Sequence, residues 1–424
     1  MTGTIFALSS GAPPAAIGVI RVSGPSAGSA VESLMGKMPE PRRASLQVLR
    51  DRAGSELDQA LVLWFPGPHT ATGEDLAELH CHGGKAVVAV VENALAALPG
   101  LRRAEPGEFT RRAFANGVID LAEAEGLGDL LAAETELQRQ AAQDVAGGGL
   151  SRKVEDWRSR LLRLSALVEA ALDFSDEDDV DLLPDVFHVE LSELASEWRE
   201  AVEAPKAECL RDGIRVVLGG PPNSGKSSLF NALLQDGAAI VSDEAGTTRD
   251  VIQRPVAFAG VPFVLIDTAG LREIAEGRIE EIGIGLAKKE IEKADIVLWL
   301  GPEGEGPAGA WEVSSRSDLP NEPVKSDALV VSAVTGSGVN LLVDALVDAS
   351  RSLLPKPGVA ALNCRQSTVL TAALDAIGDI EKQDDLLLTA EKLRMARHAL
   401  DRFLGRQSTE EMLDALFARF CIGK

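Results

Sequence analysis

The spacing of apolar positions changes several times along this chain, and each change marks a shift in organisation. Over the first 117 residues the pattern is mixed. TIFALSS, AAIGVIRVSG and QALVLWFPG are short apolar runs rich in β-branched residues, so they predict strands. KAVVAVVENALAALPG has apolar residues three and four apart and ends on Pro99 and Gly100, so it predicts a helix. From residue 118 the spacing is helical through LAEAEGLGDLLAAETELQRQAAQDVAGGGLSRKVEDWRSRLLRLSALVEAALDF, with a break or kink at the three glycines 147–149. Another helix is predicted near VELSELASEWREAVEA. IRVVL (214–218) then reads as a strand, SSLFNALL (227–234) as a helix and PFVLID (262–267) as a strand. After SLLPKPGVA (352–360) helical spacing returns in STVLTAALDAIGDIEK, LTAEKLRMARHALDRFLG and EEMLDALFARF.

This pattern predicts a multidomain chain of α/β and α parts. An N-terminal α+β domain occupies 1–117, a first helical half 118–210, an α/β domain 211–355 and a second helical half 356–424. The simplest arrangement is one helical domain with the α/β domain inserted between its halves, which is tolerated because domain termini often lie close together. The alternative is two independent helical domains.

The inserted segment carries the strongest chemical signal. In GPPNSGKSSLF (220–230), Gly220, Gly225, Lys226 and Ser227 fit G-x-x-x-x-G-K-[ST]. Glycines let backbone N–H groups turn toward phosphate oxygens, the lysine reaches the β- and γ-phosphates, and the serine hydroxyl holds Mg²⁺. The alternative is a chance glycine turn, but the order strand, loop, lysine, serine, helix argues against it, and the helix aims its dipole at the anion. GTTRD (246–250) offers a threonine that can close over the γ-phosphate. In DTAG (267–270), Asp267 can reach Mg²⁺ through water and the Gly270 N–H can sense the γ-phosphate. These are the two switch elements of a GTPase. SAVTGSG (332–338) is similar to the loop that backs guanine. Together the motifs point to a Ras-like P-loop GTPase.

The motif that reads guanine departs from the usual Asn-Lys-x-Asp. Its nearest match is Ser315-Arg316-Ser317-Asp318, unless the motif lies elsewhere in this segment. Asp318 keeps the discriminating carboxylate and Arg316 can cover the ring, while Ser315 replaces an asparagine that usually ties this loop to the phosphate loop. The segment from WLG (299–301) to ALVV (328–331) leaves little room for flanking helices. The expectation is guanine selectivity with modest affinity and fast exchange.

Composition narrows the class. A length of 424 residues predicts more than one domain, and 25% charged with 45% hydrophobic residues is a soluble globular balance. There is no apolar run of membrane-spanning length, and MTGTIFALSSGAPP lacks a basic leader region, so no membrane is expected and the cytoplasm is the expected compartment. Four cysteines, at 81, 209, 364 and 421, form no paired metal motif or disulfide framework. A net charge of −23 should repel RNA overall, so RNA contact would need local patches or a partner. Arg42 with Arg43, Arg102 with Arg103, and Arg111 with Arg112 are such patches or ordinary solvated surface.

Motifs along almost the whole chain resemble the tRNA modification GTPase family MnmE, also called TrmE. They are IRVSG (20–24), LWFPGPHTATGED (63–75), ELHCHGG (78–84), PGEFTRRAFANG (106–117), DLAEAEG (120–126), GPPNSGKSSLFNALL, AGTTRD, DTAGLRE and the final FCIGK (420–424). The resemblance implies a GTP-hydrolysing enzyme that forms a homodimer through its N-terminal domains. It implies an FAD-dependent MnmG-type partner, in a heterotetramer or larger complex. Together they would add an aminomethyl or carboxymethylaminomethyl group to C5 of the wobble uridine of certain tRNAs. The one-carbon unit would come from a tetrahydrofolate derivative (5-formyl- or methylene-tetrahydrofolate) bound in the N-terminal domain.

The resemblance also implies residue roles. GTP binding falls to Asn223, Ser224, Gly225, Lys226, Ser227 and Ser228, then Ser242, Asp243, Glu244, Ala245, Gly246, Thr247 and Thr248. Asp267, Thr268, Ala269 and Gly270, Asp318, and Ser332, Ala333 and Val334 complete that set. Ser227 and Thr248 match Mg²⁺ ligands. Asn223 matches a K⁺ ligand, completed by Ser242, Glu244 and Thr247, with the ion standing where an arginine finger would act. Catalytic roles are implied for Lys226 and for Glu280, which would orient the attacking water; read without the family, Glu280 is a solvated helix glutamate. Arg21, Glu78 and Lys424 match folate-binding positions, and Val118 stands where the family usually has lysine. Cys421 is either a nucleophile or part of a tail docked by its apolar residues. His80-Cys81-His82 invites zinc, but no further ligands lie nearby, which favours a folate-pocket or structural role. Two rival functions remain open: a regulatory GTPase switch without base chemistry, and a folate-binding module with a vestigial nucleotide domain.

Overall fold

A computed structural model describes residues 3–173, 183–239, 252–268, 288–319, 324–355, 361–380, 385–407 and 409–424. The chain folds as two compact units: 1–128 with 145–156 and 400–424, and 129–144 with 157–399.

The first unit is built on β1 (Thr4–Leu8), β2 (Ile17–Ser23), β3 (Ser45–Arg50), β4 (Glu56–Phe65), β5 (Leu76–His82) and β6 (Leu101–Arg103). They form one sheet in the order β3-β4-β5-β2-β1-β6, antiparallel except for β1 with β6. The side-chain period of two sorts residues onto its faces. Phe6, Ile20, Val22, Leu79 and Cys81 join a core with α1 (Ala27–Met35) and α2 (Lys85–Ala96). Ile5 and Ala7 point the other way and pack with Ala104 and Phe109 of α3 (Glu108–Ala115). Because Ala7 pairs with Arg21 in register, and Arg21 with Glu78, that second face also carries Arg21 and Glu78. α4 (Leu121–Ala132) opens with a reciprocal cap: the Asp120 N–H donates to Glu123 and the Glu123 N–H to Asp120.

The second unit contains α5 (Glu136–Ala146), most of α6 (Gly149–Asp173), α7 (Asp185–Glu203) and α8 (Ala207–Arg211). The helical run breaks at 133–135 as well as at the glycines. The extra break follows from Gln138, whose Oε1 accepts the Glu134 and Thr135 N–H groups and so starts a new helix. Trp157 and Trp198 meet edge to face in this helical layer, 6.0 Å between centroids. The sheet is β7 (Ile214–Gly219), β8 (Ala238–Ala239), β9 (Ile252–Phe258), β10 (Val261–Asp267), β11 (Ile296–Trp299), β12 (Trp311–Ser314) and β13 (Leu329–Val330), with α9 (Lys226–Asp236) and α10 (Val339–Leu353). Its order is β13-β12-β11-β7-β10-β9-β8, with β7 at the centre, parallel to β10 and β11. Ile214, Val216 and Leu218 of β7 are fully buried. No helix lies among the described residues between β11 and β13. α11 (Cys364–Ile377), opened by an Asn363–Gln366 capping box, packs on α7, and α12 (Leu386–Phe403) follows.

The chain ends in the first unit with α13 (Glu410–Phe417). Phe417 and Phe420 are buried with Leu121 and Ala124 of α4.

Candidate functional site

β7 delivers the chain into a tight phosphate-loop turn. Gly220 has φ 144° and Gly225 φ 93°, conformations that a side chain disfavours. Asn223 adopts φ 64° despite its Cβ. Gly225 caps α9, so the free N–H groups of the first turn face this loop. Lys226 is buried, and its Nζ donates to the Pro221 carbonyl at 2.6 Å. Ser227 Oγ donates to Asp267 Oδ2 at 2.7 Å, so β10 places its terminal carboxylate beside the loop. Thr268 Oγ1 donates to the Leu218 carbonyl at 2.7 Å and pins the end of β10 to β7. Ser228 is exposed beside Ser227.

The 315–318 segment lies against the same loop. Ser315 Oγ donates to the Ser224 carbonyl at 2.7 Å, and Arg316 donates to the Asn223 carbonyl. These two bonds tie the 315–318 segment to the phosphate loop. Ser332, fully buried, donates from Oγ to Asp318 Oδ1 at 2.6 Å, and the Ser317 N–H bonds the Val331 carbonyl. Asp318 is exposed and Val334 is 83% exposed, with Ala333 between the buried Ser332 and that tip. A cleft of about 500 Å³ runs along the outer side of the loop, lined by Pro221 to Ser224, Leu300 to Glu303 and Lys325 among others.

On the first unit's sheet, Arg21 donates from Nη2 and Nε to Glu78 Oε1, at 2.8 and 3.2 Å. Both side chains are half-buried, and the Arg21 guanidinium lies 5.9 Å from the Phe109 ring centre. His80 Nε2 meets Glu78 Oε2 at 3.2 Å. Burial pushes the Glu78 carboxyl up, but hydrogen bonds and charge from Arg21 and His80 outweigh it and hold the group below the ordinary carboxylate value. Cys81 points into the core between them; burial, with the nearby Asp58 charge, raises its thiol to about 12 and makes it inert. His82 bonds Asp58 at 2.7 Å. Among the described residues no group of three or more His, Cys, Asp or Glu side chains is placed to hold a metal ion.

The C-terminal tail docks by backbone. The Gly107 N–H donates to the Cys421 carbonyl at 3.4 Å and the Phe109 N–H to the Lys424 carbonyl at 3.2 Å, with a bridge from Pro106 to Ile422. Ile422 itself is 58% exposed, so its apolar side chain is not what holds the tail. A Cβ on Gly423 would sit 2.1 Å from the Leu8 carbonyl oxygen, which explains a glycine there. The Cys421 side chain is exposed. Lys424 thus reaches α3 next to Phe109, whose ring faces Arg21. Val118 is 42% exposed, in the turn after α3.

The arginine pairs are largely spent on internal acids. Arg112 is buried between Glu74 and Glu108, Arg111 pairs with Glu410 and Asp414, Arg102 with Glu108, Arg103 with Glu92, and Arg43 with Glu40. Ser242 to Thr248, Ala269, Gly270 and Glu280 lie outside the described residues. Sequence reasoning missed Phe109 and the contact of Arg316 with Asn223; Phe109 could have been found in the PGEFTRR motif, whereas the contact spans 93 residues of sequence.

The "MnmE helical domain" family profile matches residues 121–421, and the profile "GTP-binding protein TrmE N-terminus" matches 4–118. A protein of Erythrobacter litoralis named "tRNA modification GTPase MnmE" is 63% identical over 422 residues, covering 99% of this chain and 100% of the relative. One of Novosphingobium aromaticivorans with the same name is 58% identical over 437 residues, covering 100% of both.

Proposed function

The chain belongs to the tRNA modification GTPase MnmE family, and from that premise we propose that it couples GTP hydrolysis to C5 modification of the wobble uridine in certain tRNAs. The observation that carries this reading is that one chain holds both a phosphate loop beside Asp267 and a separate Arg21–Glu78 pair on a sheet face. A bare switch GTPase has no use for the second.

In the nucleotide site, backbone N–H groups around Ser224 and Gly225 bind phosphate oxygens and Lys226 turns from Pro221 to the β- and γ-phosphates. Ser227 and Asp267 bring two hard oxygens within 2.7 Å, which suits an Mg²⁺ held by Ser227 and Thr248 with Asp267 reaching it through water. Asn223, with Ser242, Glu244 and Thr247, is the proposed holder of K⁺. The two cations would supply positive charge against the charge that develops on the phosphates. Glu280 orients the attacking water, and Asp318 with Ser332, Ala333 and Val334 receives guanine.

In the sheet site, Arg21 suits a folate carboxylate or pterin carbonyl, and Glu78 suits the pterin amino and N–H groups. A tetrahydrofolate derivative would supply the one-carbon unit there. Val118 cannot supply the cation usual at its position, which leaves Arg21 and Lys424 as the site's cations. Cys421, whose carbonyl accepts from the Gly107 N–H just ahead of α3, is proposed as a nucleophile. The working assembly is a homodimer bound to an FAD-dependent MnmG-type partner and tRNA in the cytoplasm. The negative overall charge makes that partner the proposed source of most tRNA contact. Incubating the full chain with that partner, GTP, methylene-tetrahydrofolate and unmodified tRNA should yield a C5-substituted wobble nucleoside by mass spectrometry. Product formed equally well without this chain would contradict the proposal.

A further inference from the structure

We propose that Arg42 is a third cation of the sheet site and receives the glutamate carboxylates of a folate tail. The inference rests on the folate reading of Arg21 and Glu78 and deepens it. Unlike the neighbouring arginines, Arg42 makes no ion pair among the described residues. Its Nη2 donates to the His69 carbonyl, and its guanidinium lies 5.8 Å from the Phe65 ring centre. The side chain is exposed, so its remaining N–H groups are open to a ligand. Arg21, by contrast, already shares its charge with Glu78. A ligand that brings carboxylates of its own to a chain of net charge −23 needs another cation.

Strand register puts Arg42 on the same face as that pair. Leu63 pairs with Glu78 and Phe65 with Leu76, so Leu63 and Phe65 share the face of Glu78 and Arg21. Both are half-buried and form an apolar strip between the pair and Arg42. The Arg42 N–H donates to the Trp64 carbonyl at 2.7 Å, on the β3 side of β4. Arg42 therefore stands two strand spacings from Glu78, about 10 Å across the sheet. A folate has its parts in the same order: a pterin with N–H and carbonyl groups, a flat aminobenzoyl ring, then the tail carboxylates. The pterin takes Arg21 and Glu78, the ring lies on the Leu63–Phe65 strip, and the carboxylates meet the Arg42 fork, which suits them in bidentate geometry. Arg42 is also held in advance. Its φ is 60°, in the left-handed region in spite of its Cβ, and the His69 carbonyl and Phe65 ring fix the guanidinium. A side chain fixed before binding loses less freedom when the ligand arrives.

The test separates the tail from the pterin. Calorimetry on the full-length chain compares 5-formyl-tetrahydrofolate with an analogue that ends at the aminobenzamide ring and carries no glutamate. The wild type should bind the intact ligand about ten- to a hundredfold more tightly, the range for a hydrogen bond to a charged group. Arg42→Asn removes the charge and tolerates a left-handed backbone. It should weaken the intact ligand by that factor and leave the analogue unchanged, whereas Arg21→Ala should weaken both. Arg42→Lys keeps the charge but not the fork, so its affinity for the intact ligand should fall between those of the wild type and Arg42→Asn. It decides the matter if Arg42→Asn does not fold. Equal wild-type affinities for the two ligands, or an Arg42→Asn chain in which both weaken alike or neither weakens, would overturn the proposal. A wild type that binds neither ligand would overturn the folate reading itself, and the tail subsite with it.

Discussion

Gly423→Ala should release the last residues of the chain without unfolding the domain they dock on. Gly423 has φ 95°, and an alanine held there would cost about 1–2 kcal/mol in backbone conformation alone. The added Cβ would also lie 2.1 Å from the Leu8 carbonyl oxygen and 2.9 Å from Leu8 C and Ser9 Cα. All three are backbone atoms, so none can swing aside. Against this stand the Gly107–Cys421 and Phe109–Lys424 hydrogen bonds, worth about 0.5–1.5 kcal/mol each. The clash and the backbone term together exceed what the tail gains by staying, so the tail leaves. α13 remains, because Phe417 and Phe420 are buried against α4. Hydrogen exchange by mass spectrometry reads this directly. Exchange of the peptide containing Gly107 and Phe109 should quicken about ten- to a hundredfold, with α1 and α2 unchanged. Affinity for 5-formyl-tetrahydrofolate should fall with it, since Lys424 is no longer held beside α3. Unchanged exchange at Gly107 and Phe109 would refute the docking, and loss of protection across the whole sheet would refute the claim that the tail is a local attachment.

Potassium should accelerate GTP hydrolysis well beyond sodium at equal ionic strength, by a factor approaching the roughly 10³–10⁵ of an arginine finger, and Asn223→Ala should abolish the difference; equal wild-type rates in the two salts would remove the K⁺ site. Asp318→Asn should shift preference from GTP toward XTP in competition binding, because the carboxylate that accepts the guanine N–H groups becomes a donor; a wild type that binds ATP as well as GTP would show the base site is not one. Arg21→Ala should weaken folate binding by the full chain about ten- to a hundredfold in calorimetry, and unchanged affinity would displace the proposed site. Acid should destabilise the first unit through Glu108. Burial raises its carboxyl, but bonds from Arg102, the Glu105 N–H and Arg112 hold it below the ordinary value. The unfolded state then binds more protons in that range, so this stability is present above the unfolded-state value and is lost as pH falls through the folded one; Glu108→Gln should flatten that part of an acid-denaturation curve, and an identical curve would argue against it.

The features legible in sequence are those whose chemistry is local. The phosphate loop, its preceding strand and its following helix are contiguous, and Asp267 ends a run of apolar residues, so type, order and fold class could all be read. β3 and β6 were not legible: β3 has a single fully buried residue, Leu49, and β6 is three residues long. The break before α5 was hidden because its cause is a side chain, Gln138, folding back on the turn. Contacts across long sequence distances were out of reach for the same reason. Arg21 and Glu78 are 57 residues apart and meet only through strand register, and Ser315 lies 91 residues from the carbonyl it holds. The tail is the plainest case. Docking by apolar residues holds at Phe420, which is buried, whereas the exposed Ile422 leaves the last residues to backbone bonds and a close glycine contact, which leave no trace in hydrophobic patterning.

The most direct measurement is the composition of wobble nucleosides in total tRNA from cells lacking this chain, by liquid chromatography and mass spectrometry. The account predicts that the aminomethyl and carboxymethylaminomethyl uridines disappear, return with the wild-type gene, and do not return with Ser227→Ala. A wobble nucleoside profile unchanged by the deletion would contradict it.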